Sequence, residues 1–324
     1  MAIEKIKESG LKIFDEIPDN NGMFINPVVT IGNFDGVHTG HQKIIEKLIS
    51  RAREHNGTPI VITFKNHPRT VFHPESICRM ITTVEEKQAA LHSLGINNII
   101  MLKFTREFSN LTAEQFYSDL LIGKLKVREI VIGYDHAFGK NREGNIDYLM
   151  KLSEKTGIIV NRVEEEVCNN EVISSTFLRG EIDKGQMRMV AKLLGRRYSL
   201  TGKVVKGAGR GGSLLGFPTA NIQPDYPDKI VPGNGTYAAS ITLKDKSVFY
   251  GMLNIGYNPT FNGTGRSIEM NIFDFRQDIY HQVVTIEFYE KIRDEVKFDS
   301  ADSLVRQIKQ DEEKIRRIFE KEKS

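Results

Sequence analysis

Cysteine is nearly absent from this chain: Cys78 and Cys168 are the only two in 324 residues, and neither sits in a spaced motif. That excludes a disulfide framework and a thiolate metal cluster, and it fits a reducing cytoplasm. An excess of charge of either sign is missing as well. The 45 basic and 42 acidic residues leave a formal charge of +3, with the basic residues dispersed, so no nucleic-acid partner is indicated. Long apolar runs are also lacking. None approaches the length that spans a bilayer, and the opening Met1-Ala-Ile-Glu-Lys-Ile-Lys-Glu has no apolar stretch of an export signal. The expectation is a soluble chain with no membrane partner. Its 40% hydrophobic and 27% charged residues are those of a globular protein, and its length accommodates two separate cores.

What is present is organised around one stretch. Val28-Val-Thr-Ile31 is short, β-branched and uncharged, as expected for a strand buried on both faces of a parallel sheet. Gly32 and Gly36 bracket a tight loop. From Gln42 the spacing turns helical, with Ile44, Ile45, Leu48, Ile49 and Ala52 on one side and Lys43, Glu46, Lys47 and Arg51 on the other. His38, Gly40 and His41 therefore stand at a strand-to-helix corner. Unpaired N–H groups and the positive end of the helix dipole suit a phosphate there, and Gly40 leaves room for its approach. Two histidines three apart can both donate to one phosphoryl group. Transfer at phosphorus needs such donors where charge accumulates. The alternative for either histidine is a helix cap or a core position; zinc lacks a third ligand at suitable spacing.

The first half continues to alternate. Pro59 to Phe64 is a second β-branched run, and the Lys65-Asn-His-Pro-Arg-Thr-Val-Phe72 after it lies where parallel sheets bind ligands. A helix is predicted over 84–94, opened by a capping box of Thr83 with Glu86 and closed by Gly95. Strands are expected over 98–104, 129–133 and 157–163, and another helix opens at Thr112 with Gln115. This predicts a parallel sheet with covering helices. Gly139-Lys140 is no P-loop, because the spacing from Gly133 is one too long and Asn141 stands where Ser or Thr belongs.

The character changes near residue 185. Residues 183–197 read as one short amphipathic connector helix, and beyond Tyr198 come short strands over 199–206, 235–243, 247–255, 267–275 and 282–289. Such spacing argues for a compact antiparallel barrel. A last helix over 302–319 keeps Leu304, Val305, Ile308, Ile315, Ile318 and Phe319 on one stripe that should pack on it. Gly207-Ala-Gly-Arg-Gly-Gly212 matches Gly-x-Gly-x-x-Gly, yet Pro218 blocks the helix a dinucleotide fingerprint needs. A glycine-rich flap over phosphates, with Arg210 as charge partner, still makes sense.

Gly32-Asn-Phe-Asp-Gly-Val-His38-Thr-Gly-His41 resembles the signature of the nucleotidyltransferase superfamily, specifically of bacterial bifunctional riboflavin kinase/FMN adenylyltransferases. Ile173-Ser-Ser-Thr-Phe-Leu-Arg179 is similar to the second signature of that superfamily, although Ser-Ser-Thr alone is an ordinary helix cap. The segment from Gly133 to Gly144 resembles the family's flavin or nucleotide loop and reads equally as a surface turn. Gly216-Phe-Pro-Thr-Ala-Asn221 resembles the riboflavin kinase signature. Glu269, in Ser-Ile-Glu-Met-Asn-Ile-Phe-Asp-Phe275, matches the family's catalytic glutamate and reads otherwise as a solvent-facing strand residue.

The resemblance runs from about residue 15 to about 313. It implies an α/β chain of two domains. Residues 1–184 would be a Rossmann-like FMN adenylyltransferase domain, a parallel sheet with covering helices. Residues 185–324, including the connector helix, would be a riboflavin kinase domain, a small antiparallel β-barrel with a carboxyl-terminal helix. The implied substrates are riboflavin, FMN and ATP, with Mg²⁺ as cofactor and FMN and FAD as products. His38 and His41 would stabilise the transition state of adenylyl transfer, and Glu269 would take the proton from the ribityl hydroxyl. Gly32, Phe34, Asp35, Gly36, Gly40, Ser174, Ser175, Thr176 and Arg179 would surround one nucleotide; Gly207, Arg210 and Gly216 the other. Asp135, Phe138, Asn254 and Arg293 would contact flavin, and Thr219 and Asn221 would ligate Mg²⁺. The chain departs from the family at Lys65-Asn66, His136-Ala137, Asn258 and His281, the last replacing a glycine. An enzyme with one live activity and a non-catalytic flavin sensor are the rival readings. Retention of His38, His41 and Glu269 argues against the sensor, since tight binding requires no general base.

Overall fold

The computed structural model describes residues 10–73, 75, 78–139, 143–206, 217–257 and 266–323. The chain divides into two compact units, 1–175 and 176–324. In the first, strands and helices alternate: β1 (Lys12–Phe14), β2 (Val28–Ile31), α1 (Thr39–Glu54), β3 (Pro59–Phe64), α2 (Pro68–Phe72), α3 (Val84–Ser93), β4 (Asn98–Leu102), α4 (Arg106–Ser109), a π-helix over Gln115–Lys124, β5 (Glu129–Gly133), α5 (Ile146–Thr156) and β6 (Ile159–Val163). A short hairpin follows, β7 (Val167–Cys168) with β8 (Glu171–Val172). Strands β1 to β6 form one parallel sheet in the order β1-β4-β3-β2-β5-β6. The order reverses beside β2, and ligands of such sheets bind over the carboxyl ends at that point.

The uninterrupted apolar run of β2 follows from cover on both faces. Val28 and Val61 pack with Ile45, Leu48 and Ala52 of α1, whereas Val29, Ile31, Ile60 and Ile62 face the other way onto Phe116, Tyr117 and Leu121. The capping box opens α3, with Glu86 N–H donating to the Thr83 hydroxyl at 3.2 Å and Thr83 N–H to the Glu86 carboxylate at 3.0 Å. Thr112 and Gln115 likewise accept each other's backbone N–H, but the helix they open winds on as the π-helix. Strand β4 ends at Leu102 rather than at 104. Asn66 captures the backbone of Phe104 in both directions, at 2.9 and 3.0 Å, in place of a neighbouring strand. Gly157, expected to start β6, instead closes α5 at φ +74°. Strand β1 gave no sequence signal because it is three residues long and mostly exposed.

Helix α6 (Ser175–Lys184) begins at the last residue of the first unit, and α7 (Met187–Leu194) follows in the second. The single connector helix expected over 183–197 is therefore two, broken at Gly185. There φ is +75°, and a side chain would meet the Tyr237 hydroxyl and the stem of Lys291. Six strands close an antiparallel barrel: β9 (Tyr198–Val205), β10 (Ala220–Pro224), β11 (Gly235–Thr242), β12 (Val248–Tyr257), β13 (Arg266–Ile272) and β14 (Val283–Arg293), in the order β10-β13-β12-β11-β14-β9. The expected barrel is present, with β10 added where the residues alone read as a turn. Helix α8 (Ala301–Lys323) lays Ile315 and Phe319 against Ala238, Met252, Phe273 and Ile292 of the barrel, as its stripe requires.

Candidate active sites

The corner between β2 and α1 is built from unusual backbone. Phe34, Gly36 and Val37 all have positive φ, at +50°, +87° and +45°, a conformation that a β-branched residue adopts only under restraint. The restraint is visible. Asp35, fully buried, accepts the backbone N–H groups of Ile81 and Thr82 at 3.0–3.1 Å and the Thr82 hydroxyl at 3.1 Å. Gly36 N–H donates to that same hydroxyl at 3.0 Å. Of the loop residues expected around a nucleotide, Phe34 and Asp35 thus turn their side chains inward. Phe34 lies under Gly32 and meets the His41 ring edge-on at 5.0 Å.

The two histidines are stacked, with ring centroids 3.7 Å apart and planes 19° from parallel. The capping reading of His38 is visible in the geometry. The residue caps α1, its Nδ1 accepting the His41 N–H at 3.4 Å, and in a neutral imidazole that bond places the ring proton on Nε2. Burial, then His38 and Lys87, hold His41 well below the usual imidazole range, so it is neutral at pH 7. Gly40 is needed for space beside His38: a Cβ there would lie 3.3 Å from Nδ1 of His38 and 3.5 Å from the carbonyl of Ile173. Ser175 donates to the Asp35 carbonyl at 3.0 Å, which brings that residue of the second signature to the corner. Ser174 adjoins it; Thr176 and Arg179 lie beyond the junction, in α6. Buried Asn33 Oδ1, Thr39 Oγ1 and His41 Nδ1 have no hydrogen-bond partner among the described residues. Unpartnered polar atoms at one corner suit a polar ligand.

Beside this corner a cavity of about 570 Å³ opens over the carboxyl ends of β2 to β5, reached by Gly32 and Asn33 on one side and by Phe64, Phe104, Phe108 and Phe138 on the others. Phe138 stacks on Phe116 at 3.8 Å. Such a walled aromatic slot fits a flat ring system. Asp135 is exposed and outside the cavity lining. His136 does line it, and its Nε2 lies 2.6 Å from the Tyr117 hydroxyl.

In the barrel, the strand register sets Asn221, Glu269, Asn254, Thr236 and Arg293 in one row across β10, β13, β12, β11 and β14. Thr219 donates to the Glu269 carboxylate at 3.4 Å, and Thr236 to Asn254 at 3.4 Å. Thr219, Glu269, Asn254 and Arg293 line one cavity of about 340 Å³, with Phe298 and Leu304 on its apolar side. Arg293 is held there by the buried Asp311 of α8 at 2.7 Å. Gly207, Arg210, Gly216 and Asn258 lie outside the described residues.

A family model for FAD synthetase matches residues 23–177, and one for riboflavin kinase matches 194–319. The bifunctional riboflavin kinase/FMN adenylyltransferase of Haemophilus influenzae is 36% identical over 291 residues, 90% of this chain and 94% of that protein. The protein of that name from Listeria monocytogenes is 34% identical over 299 residues, 92% of this chain and 94% of its own. The chain belongs to this bifunctional family. The crystal structure of a macrolide-efflux protein from Streptococcus pneumoniae shares the fold, with a TM-score of 0.83 and 31% identity over 94% of this chain and 98% of that one. Among the described residues, no helix is long and apolar enough to cross a membrane.

The family's signature residues account for part of each site; their supports were missed. Thr82, Lys87, Tyr117 and Asp311 belong to no motif. Lys87 alone left a trace, since it falls on the apolar stripe of Val84, Leu91 and Leu94, where a lysine is out of place.

Proposed function

We propose that the two reactions of the family are divided along the chain, with adenylyl transfer in 1–184 and riboflavin phosphorylation in 185–324. As a family member the chain is a transferase that makes FMN from riboflavin and ATP, then FAD and pyrophosphate from FMN and a second ATP. The observation that carries the division is the pairing of each cavity with its own polar group: the stacked His38 and His41 beside the aromatic slot, and the Glu269 row in the barrel.

In the barrel, the ribityl hydroxyl attacks the γ-phosphorus of ATP while Glu269 takes its proton, and ADP leaves. Asn254, Arg293 and the apolar wall of Phe298 and Leu304 orient the flavin. Thr219 and Asn221 stand beside Glu269 with hard oxygen atoms that fit Mg²⁺. Held there, the ion would supply neutralisation of phosphate charge.

In the first unit, an FMN phosphate oxygen attacks the α-phosphorus of ATP and pyrophosphate leaves. His38 donates from Nε2 and neutral His41 stands against it, so donor N–H groups meet the developing charge without two stacked cations. One such donor is typically worth roughly 3–4 kcal/mol of barrier. A cytoplasmic setting, with ATP at hand, belongs to this proposal.

The test is chromatographic separation of flavins after incubation of the full chain with riboflavin, ATP and Mg²⁺, repeated from FMN. Glu269→Gln should abolish FMN formation and leave FMN-to-FAD conversion. Joint replacement of His38 and His41 by Ala should do the reverse. Loss of both activities in either variant, or normal FAD synthesis without the histidines, would contradict the division.

A further inference from the structure

Lys87 sits in α3 with 1% of its surface exposed, and a lysine at that depth is rare unless its ammonium is fully engaged. It is. Nζ donates to the carbonyl of Asn33 at 2.9 Å, the carbonyl of Phe64 at 2.9 Å and the hydroxyl of Thr63 at 3.4 Å. Thr63 in turn donates to the Asn33 carbonyl at 3.0 Å. All three protons therefore have acceptors. Every acceptor lies at the carboxyl end of β2 or β3, under the corner where the phosphate chemistry is placed.

The pattern of partners is informative. A lysine retained for an ion pair would meet a carboxylate, yet the nearby Asp35 directs its oxygens to Ile81 and Thr82. What Lys87 joins instead are two carbonyls, one on the loop after β2 and one at the end of β3, whose residues, Asn33 and Phe64, both line the aromatic cavity. Asn33 begins the loop that carries the histidines; Phe64 belongs to the aromatic wall, in edge-on contact with Phe104 and Phe108. The charge also reaches His41, where it opposes protonation of the imidazole.

We propose that Lys87 is a positioning residue for adenylyl transfer: its buried ammonium ties the histidine loop at Asn33 to the aromatic wall at Phe64, fixing the stacked histidines relative to bound flavin. The proposal rests on the assignment of adenylyl transfer to this unit. Lys87 touches neither reactant. It acts through two backbone carbonyls, and a displacement of the loop by about 1 Å is enough to cost on the order of 100-fold in rate.

The experiment uses the full chain and follows riboflavin phosphorylation and FMN adenylylation in the same preparations, with FMN binding read separately from quenching of flavin fluorescence. Lys87→Met keeps the stem and removes the donors. FAD formation should fall at least 30-fold in kcat, the Kd for FMN should change less than threefold, and riboflavin phosphorylation should be unchanged. Lys87→Gln, neutral but polar, carries the same expectation and decides the matter if the methionine variant does not fold. Lys87→Arg, which keeps charge and donors, should recover at least a third of the lost rate on a logarithmic scale. FAD formation within threefold of the unaltered chain in the methionine or glutamine variant overturns the proposal. So does a loss of kcat matched by an equal loss of FMN binding in all three variants, the mark of a collapsed cavity. Failure of the unaltered chain to adenylate FMN would instead remove the functional assignment on which the proposal stands, and is distinguished by appearing before any substitution.

Discussion

Alkaline pH should strengthen the amino-terminal unit, and Lys87 is the cause. Burial pulls its ammonium from 10.5 down to about 8, with Asp35 opposing only in part. In the unfolded chain the same lysine keeps its proton up to the ordinary value. Between those two values the unfolded state binds more protons than the folded one, so stability rises with pH through that window. Below it both states are protonated and the fold bears the whole cost, roughly 3 kcal/mol from the difference of the two values. Between pH 7 and pH 9 about 1 kcal/mol of this is recovered, because the folded lysine has then lost most of its proton and the unfolded one has not. The perturbation is Lys87→Met, which has nothing to titrate. Urea unfolding followed by far-ultraviolet circular dichroism, at both pH values, suits a chain with no tryptophan. The unaltered chain should gain about 1 kcal/mol on the variant over that interval, read on the transition that the substitution displaces. Parallel pH dependence of the two proteins would refute the reasoning, for it would mean that the ammonium is solvated or the amine already neutral.

Two further perturbations separate packing from chemistry. Gly40→Ala places a methyl group 3.3 Å from Nδ1 of His38; tilting that ring out of the stack should lower FAD formation by roughly 10- to 100-fold and leave FMN formation alone, and an unaffected rate would show that the stack yields without consequence. His281 has φ +66° on an exposed turn, and its N–H donates to the Val204 carbonyl at 2.8 Å. An L-residue there costs about 1–2 kcal/mol and glycine returns roughly half of that as unfolded-chain entropy, so His281→Gly should raise barrel stability by up to about 1 kcal/mol; a fall in its thermal midpoint would mean that the imidazole makes a contact of greater worth.

How far the sequence could be read depended on whether the signal was local. Val28 to Ile31 and Pro59 to Phe64 announce buried parallel strands because cover on both faces removes polar alternation, and both strands lie where they were placed. The row through Glu269 was legible only as separate motifs, since it is made by register between five strands and no spacing along the chain encodes that. β10 was hidden because Pro218 to Asn221 carries turn residues on the way into a strand. The break at Gly185 was missed for a similar reason: the amphipathic pattern runs on either side of it, and what forbids a continuous helix is the distant Tyr237. Asn66 holds the backbone of Phe104 as a strand neighbour would. That pairing joins positions 38 residues apart and leaves no mark at either.

The shape of the histidine loop is held largely by residues of its own signature and by the groups that clamp them. Its ten residues from Gly32 to His41 contain three positive-φ positions, and the β-branched Val37 is held in one of them at no exposure to water. Such a backbone persists only when its surroundings over-determine it. Here Asp35 clamps it to Ile81 and Thr82, Gln42 donates to the Val37 carbonyl at 2.9 Å, and Lys87 with Thr63 takes the Asn33 carbonyl. Phe34 fills the space under Gly32 and braces His41. Much of the signature therefore maintains the shape of the loop that carries His38 and His41. It follows that substitutions at Phe34 or Asp35 should damage adenylyl transfer through loop geometry, reaching both histidines together, whereas loss of the His41 imidazole alone, whose Nδ1 holds no partner among the described residues, should leave the loop standing.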